Sequence, residues 1–342
     1  MDVYYNGNGN TWGKGRKSEK LTAFPTQKTF LWENLDVFIP AVYTGKSGAI
    51  LDVCIKISVE DMAAFLKKWN REKRLSLHTN EDFEQMEKDN PCCIDFEADM
   101  HLNDEPLKQR MRASLVWYPE EVYFLEESDE FTPAARSADM QDADAEKLMT
   151  AYHCDRNFCW YFGRLVYNWN NEPVLFPQKV SLVLKAMPEP VTAAHFTTNL
   201  SCSDEKVNII HPATGQEYVL TLHECEETEI PFSGFGGEKG MCYPKLCQKL
   251  SYSISPKPER NSLDILDCAN GDQPRKETSS GSMIAQSCGP TAIFAAGKGS
   301  RPDISAAFSS LHFEPVQSVR WRAVFQMKPR EDAALSFPCL SL

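Results

Sequence analysis

His223 and Cys225 stand two residues apart in a stretch that alternates apolar and polar side chains, and Cys242 and Cys247 follow in the next loop. Imidazole nitrogen and thiolate sulfur are the donors that hold zinc, and four of them close a tetrahedral structural site. On a strand, side chains i and i+2 point to one face, so His223 and Cys225 would chelate from the same side. The step from Cys242 to Cys247 is wider than the usual two-residue knuckle. These four residues are the candidate metal ligands and zinc the candidate cofactor; no other cofactor is expected. His153, Cys154 and Cys159 form a poorer set of the same kind.

A second chemistry is nucleophilic. Cys288 lies in Gln286-Ser287-Cys288-Gly289, which is similar to the pattern around the caspase nucleophile. Such a thiol needs a histidine within hydrogen-bond reach and a third group to orient it. His223 and His312 are the candidate histidines, and nothing in the spacing ties either to Cys288. Caspases are built on an α/β sheet, whereas the strand pattern here is all-β, so no catalytic residue is assigned.

Other site types are excluded by missing pieces. The glycine-rich run Gly234–Gly240 lacks the Gly-Lys-Ser/Thr ending of a phosphate loop. There is no Gly-x-Ser-x-Gly elbow. The acidic stretch 126–146 lies between Gly48 and Gly163 with no glycine in the interval, which excludes an EF-hand loop. It reads as a solvated acidic loop.

Gly289-Pro290-Thr291-Ala292-Ile293-Phe294 resembles a short motif of the membrane β subunits of sodium-pumping, biotin-dependent decarboxylases. The resemblance covers six of the 342 residues. It would imply an ion path through a bilayer, built on spanning segments. The acidic residue of that motif is replaced here by Cys288, and no run of about 18 apolar residues exists. No ion-binding role is therefore carried onto Cys288, and no membrane partner is expected.

The formal net charge is −12. Residues 51–150 hold 12 Lys/Arg against 24 Asp/Glu, and the rest of the chain is balanced. An acidic chain is a poor nucleic-acid binder, because counterion displacement needs a Lys/Arg surface. A local basic patch, for example Arg320, Arg322, Lys328 and Arg330, reads as a solvated face, so no nucleic acid is expected. The 12 cysteines show no regular spacing and no export signal precedes them. They read as reduced thiols of a cytoplasmic protein, mostly buried as small hydrophobes.

The elements that must position these groups are mostly strands. Leu51, Val53, Ile55 and Ile57 share one face; Ile94, Phe96, Ala98, Met100 and Leu102 share another; Val319, Trp321, Ala323, Phe325 and Met327 a third. This is antiparallel patterning with period two. Further strands are expected near 34–43, 111–118, 158–169, 179–186, 206–211, 217–225, 248–255, 263–268 and 306–313. Turns at 44–48 and 212–216 join hairpins. A helix is expected near 58–72, capped by Ser58, and a shorter one near 142–153. The fold expected is mainly β: two antiparallel β-sandwich-like domains with one or two short helices. Residues 1–20 read as a flexible tail, 21–190 as the first domain and 191–342 as the second, with a long loop at 271–303. The leading functional expectation is a non-catalytic binding or protein-interaction module. The alternatives are a metal- or thiol-dependent enzyme using the residues above, or a self-assembling structural protein.

Overall fold

The computed structural model describes residues 1–6, 12–70, 73–74, 76–77, 79–122, 143–230, 241–260, 262–276 and 304–340. The strands are β1 (Tyr4–Asn6), β2 (Ser18–Lys20), β3 (Thr22–Trp32), β4 (Leu35–Thr44), β5 (Ala49–Ile57), β6 (Phe96–Leu102), β7 (Glu105–Trp117), β8 (Cys159–Trp169) and β9 (Lys179–Ala186). They continue as β10 (Glu189–Asn199), β11 (Glu205–Ile210), β12 (Glu217–Glu229), β13 (Met241–Cys242), β14 (Leu246–Ser255) and β15 (Leu263–Asp267). The last are β16 (Arg275–Lys276), β17 (Ser305–Phe308), β18 (Ser318–Met327) and β19 (Ala333–Pro338). Helices α1 (Val59–Lys68), α2 (Asn80–Asp89) and α3 (Ala143–Ala151) interrupt them. The protein is mainly β with antiparallel pairing in each sheet, as the alternation implies. Among the described residues, no helix is long and apolar enough to cross a membrane.

Two compact units emerge. The first comprises residues 1–76, 86–187 and 328–342; the second comprises 77–85 and 188–327. The division departs from a simple cut near 190 because β19 returns to pair with β9 in the first unit. The expected N-terminal tail also carries structure: Tyr4–Asn6 pairs with Ser18–Lys20, and Val3, Tyr5 and Leu21 pack into an apolar cluster with Ala41, Tyr43, Ile50 and Val166.

In the first unit an eight-stranded sheet runs in the order β19-β9-β6-β7-β8-β5-β4-β3. It curls until its edge strands approach, with Leu340 N donating to Pro25 O at 2.8 Å. The inner face holds Leu51, Val53, Ile55, Met100, Leu165, Leu182 and Leu184, closed by Met62, Phe65 and Leu66 of α1. Ser58 caps α1 by accepting a hydrogen bond from Asp61 N at 3.0 Å. The helix ends at Lys68, short of the expected 72. Strands β5 and β8 are buried on both faces. On their outer side Cys54, Trp160 and Phe162 pack under Ala145, Leu148 and Met149 of α3.

That outer side also buries charge. Arg164 Nε and Nη2 donate to Asp52 Oδ1 and Oδ2 at 2.7 and 2.6 Å. Tyr152 OH donates to Asp52 Oδ2, and Tyr152 and Tyr43 share a hydroxyl hydrogen bond of 2.8 Å. The Trp12 ring lies over the guanidinium at 4.3 Å. Burial, with the Asp52 charge beside them, pushes the phenols of Tyr43 and Tyr152 up, so both stay neutral donors.

The second unit is a sandwich of a three-stranded sheet, β10-β18-β15, and a four-stranded sheet, β11-β12-β14-β17. Between them lie Leu220, Leu222, Leu250 and Tyr252 from one sheet and Ile265, Trp321, Ala323 and Phe325 from the other. Period two then sends Arg322 on β18 and His195 on β10 to the face away from this core. The two residues are direct cross-strand partners.

Candidate metal centre

The structure does not gather the four ligands expected from the sequence. A β-bulge interrupts the β12–β14 register between Leu222 and Glu224, and His223 is its extra residue. The bulge shifts the phase of the strand, so the buried positions run Tyr218, Leu220, Leu222 and then Cys225. His223 is thereby turned off the face that carries Cys225, and its Nε2 meets Ser253 Oγ at 2.9 Å. Cys225 instead donates to Gln248 Oε1 at 3.2 Å inside the sandwich. Cys247 is buried opposite Thr228, three pairs along the ladder from Cys225. Cys242 is exposed on β13, which pairs with β16 and not with β12. Cys288 with Gly289–Phe294, residues 277–303 of the loop expected at 271–303, the run Gly234–Gly240 and most of the acidic stretch lie outside the described residues, while Arg275–Lys276 of that expected loop forms β16. Of the basic cluster, Arg320 is exposed as expected, whereas Arg322 is fully buried against Glu84, Lys328 pairs with Asp332, and Arg330 lies over the Trp32 ring.

Another constellation takes their place. Among the described residues, one group of three metal-ligating side chains converges: Glu81, His195 and Cys268, whose donor atoms all lie within 4.8 Å of one another. Each comes from a different element. Glu81 is in the first turn of α2, His195 is on β10, and Cys268 follows the end of β15.

The local geometry is fixed by backbone. Thr79 starts α2 by accepting from Asp82 N at 3.1 Å while its hydroxyl donates to Asp82 Oδ2 at 2.6 Å. Asn80 N donates to Cys268 O at 3.2 Å, and Thr79 and Ala269 form an antiparallel bridge. Cys268 N in turn donates to Arg320 O at 2.9 Å. The bidentate Arg322–Glu84 pair fastens the same helix to the sheet face one turn further on. Glu81 Oε2 and His195 Nε2 stand 2.9 Å apart.

Comparison with family models, with curated proteins and with solved structures finds no match. The chemistry of the cluster therefore rests on its own geometry. Around a tetrahedral zinc the donors are separated by about 3.3–3.7 Å, from metal–ligand distances of about 2.0–2.3 Å. Glu81 and His195, hydrogen-bonded at 2.9 Å, stand closer than that spacing, and the Cys268 sulfur lies within 4.8 Å of both.

Charge is consistent with this. The Cys268 thiol is only 4% exposed. Burial and the nearby Glu81 carboxylate push it up to about 11, against the opposing pull of Arg320 and Arg322. Without a metal it is a neutral thiol, which makes it a poor nucleophile. Zinc would displace its proton. The thiolate and Glu81 together then balance the two positive charges of the ion, and Arg322 is already balanced by Glu84. Two buried acceptors next to the cluster lack donors among the described residues: Asn80 Oδ1, beside Glu81, and Asn270 Oδ1, two residues beyond Cys268.

Proposed function

We propose that this chain is a non-catalytic binding module whose second unit holds a zinc ion through Glu81, His195 and Cys268. The observation that carries the reading is the convergence of a carboxylate, an imidazole and a thiol, from three separate elements, within 4.8 Å. Ligands drawn from a helix, a strand and a post-strand turn make the ion a clamp between α2 and the sheet. The mixed N/O/S set favours zinc over calcium or magnesium, which take oxygen alone. The high proton affinity of Cys268 supports the non-catalytic part of the reading.

The test is equilibrium dialysis of the reduced full-length chain against zinc, followed by elemental analysis. One zinc per chain that survives exchange into zinc-free buffer is expected. A metal-free chain after dialysis would end this reading.

A second observation favours a protein partner for the first unit. Phe176 is 76% exposed, beside the part-exposed Leu175, with the Phe24 ring edge-on at 6.3 Å. Exposed apolar clusters of this kind mark contact surfaces. If a second copy of the chain occupies it, sedimentation velocity will show a concentration-dependent dimer that Phe176→Ser removes. A monomer at every concentration would exclude self-association there.

A further inference from the structure

Three distant parts of the chain meet around one cavity on the outer side of the first unit's large sheet. Strand β1 supplies Tyr4, the segment before β2 supplies Trp12 and Lys14, α3 supplies Lys147 and Leu148, and β8 supplies Arg164. The cavity volume is about 250 Å³. Pockets for drug-sized ligands run to about 300–1,000 Å³, so this one suits a molecule of one or two rings. Its lining combines the Tyr4 and Trp12 rings with Leu148, which belongs to the apolar cluster under α3. The Arg164 guanidinium is held by Asp52 and lies 4.3 Å from the Trp12 ring, so it is a fixed cation in that lining.

The charges around the cavity do not cancel. Asp2 pairs with Lys20 at 2.7 Å and Asp144 with Lys147 at 2.6 Å, and Arg164 is matched by the buried Asp52. Lys14 remains. It pairs with no carboxylate among the described residues, and its Nζ stands 5.8 Å from the centre of the Tyr4 ring. A ring face attracts an ammonium but does not neutralise it. A molecule entering the cavity therefore meets one uncompensated positive charge beside two aromatic rings.

We propose that this cavity binds a small planar aromatic monoanion, a one- or two-ring carboxylate, with its ring against Tyr4 and Trp12 and its carboxylate on Lys14. Offset or edge-on packing of the rings and a charge-assisted hydrogen bond from the ammonium supply the recognition. An organic cation would meet Lys14, Lys147 and Arg164 and be repelled. A neutral ring would forgo the charge-assisted bond. Strands β1 and β2 have three residues each, and so short a pair is marginal without added packing. A ligand lodged between this pair and α3 would therefore protect the backbone of both. The site lies within the first unit and shares no residue with Glu81, His195 and Cys268.

The experiment titrates naphthalene-2-carboxylate into the reduced full-length chain by calorimetry at low salt, with a chelator present so that no metal contributes. Naphthalene-2-carboxamide and 2-naphthylmethylamine serve as the neutral and cationic counterparts. One saturable site per chain is expected for the carboxylate. The carboxamide should bind about tenfold more weakly, the difference between a charge-assisted and a neutral hydrogen bond, and the amine should not bind. Lys14 is exposed, so Lys14→Gln tests the contact without opening the core. It should lower the affinity for the carboxylate to that for the carboxamide and leave the carboxamide unchanged. Lys17→Gln, exposed and outside the cavity lining, should change neither. With the carboxylate bound, amide hydrogen exchange should slow in residues 1–6, 12–20 and 143–151. Absence of saturable binding, equal affinity for carboxylate and carboxamide, or protection confined to other segments would each overturn the proposal. So would a loss in Lys17→Gln as large as in Lys14→Gln, which would mark a diffuse charge effect.

Discussion

Replacing Asp52 with alanine is expected to destabilise the first unit by about 3–5 kcal/mol, the range seen when one partner of a buried ion pair is removed. The side chains of Asp52 and Arg164 are 3% and 2% exposed. They sit on a sheet face covered by α3 and the β1–β2 hairpin. Truncating Asp52 takes two charge-assisted hydrogen bonds from the Arg164 guanidinium and removes the acceptor of the Tyr152 hydroxyl. For a unit of this size the thermal midpoint should fall by about 6–20 °C. Removing both charges with shape-matched apolar residues, Asp52→Leu with Arg164→Met, should recover most of the loss, because no charge is then left buried and unpaired. Denaturant melts followed by tryptophan fluorescence would measure both. A loss below about 1 kcal/mol for Asp52→Ala would place the pair with ordinary exposed salt bridges and contradict its buried geometry.

The second large effect concerns the metal. Cys268→Ser and His195→Ala should each weaken zinc binding by at least about 100-fold, since even an outer partner of a ligand is worth about 10–100-fold. The pH dependence follows from Cys268. Its thiol is pushed up to about 11 in the metal-free chain, so at pH 8 it must lose a proton for zinc to bind. One proton should be released per zinc from this residue. Apparent affinity should rise about tenfold per pH unit as pH increases toward 11, and fall as pH drops. Cys268→Ser should abolish that proton release. Calorimetry in buffers of different ionisation enthalpy reads the proton count directly. Equal affinity in wild type and Cys268→Ser would remove the cysteine from the site.

Much of the fold is legible in the sequence where burial is extreme. Strand β8 reads as apolar on both faces because both are covered, whereas β5 reads as alternating and its Asp52 face is buried as well, against Arg164. Strand β18 reads as strict alternation because one face meets the sandwich core and the other carries Arg320 and Arg322. Helix α1 announces itself through Ser58, Asp61 and the Met62, Phe65, Leu66 stripe. Two of the long strands missed carry residues that contradict the usual signals. Strands β3 and β10 contain Pro25 and Pro190, which argue against a central strand but are tolerated because both strands lie at sheet edges. In β3 a further irregularity between Pro25 and Lys28 breaks the alternation. Helix α2 buries no residue fully, so it shows no apolar stripe to detect.

The candidate site was hidden for the same reasons. Glu81 is on that polar helix, His195 is on the proline-marked edge strand, and only Cys268 lay in a stretch expected to be a strand. The quartet suggested by spacing failed because a bulge at His223 reset the strand phase. That slip left a trace in the sequence. The apolar positions Tyr218, Leu220 and Leu222 are followed by glutamate at 224 and by cysteine at 225, which is out of step.

X-ray absorption at the zinc edge of the zinc-loaded, reduced chain tests the central claim most directly. One zinc per chain is expected, with a single sulfur neighbour at about 2.3 Å and the remaining neighbours nitrogen or oxygen at about 2.0–2.2 Å. A shell with two or three sulfurs would move the ion to other cysteines, and a chain that retains no zinc would contradict the account outright.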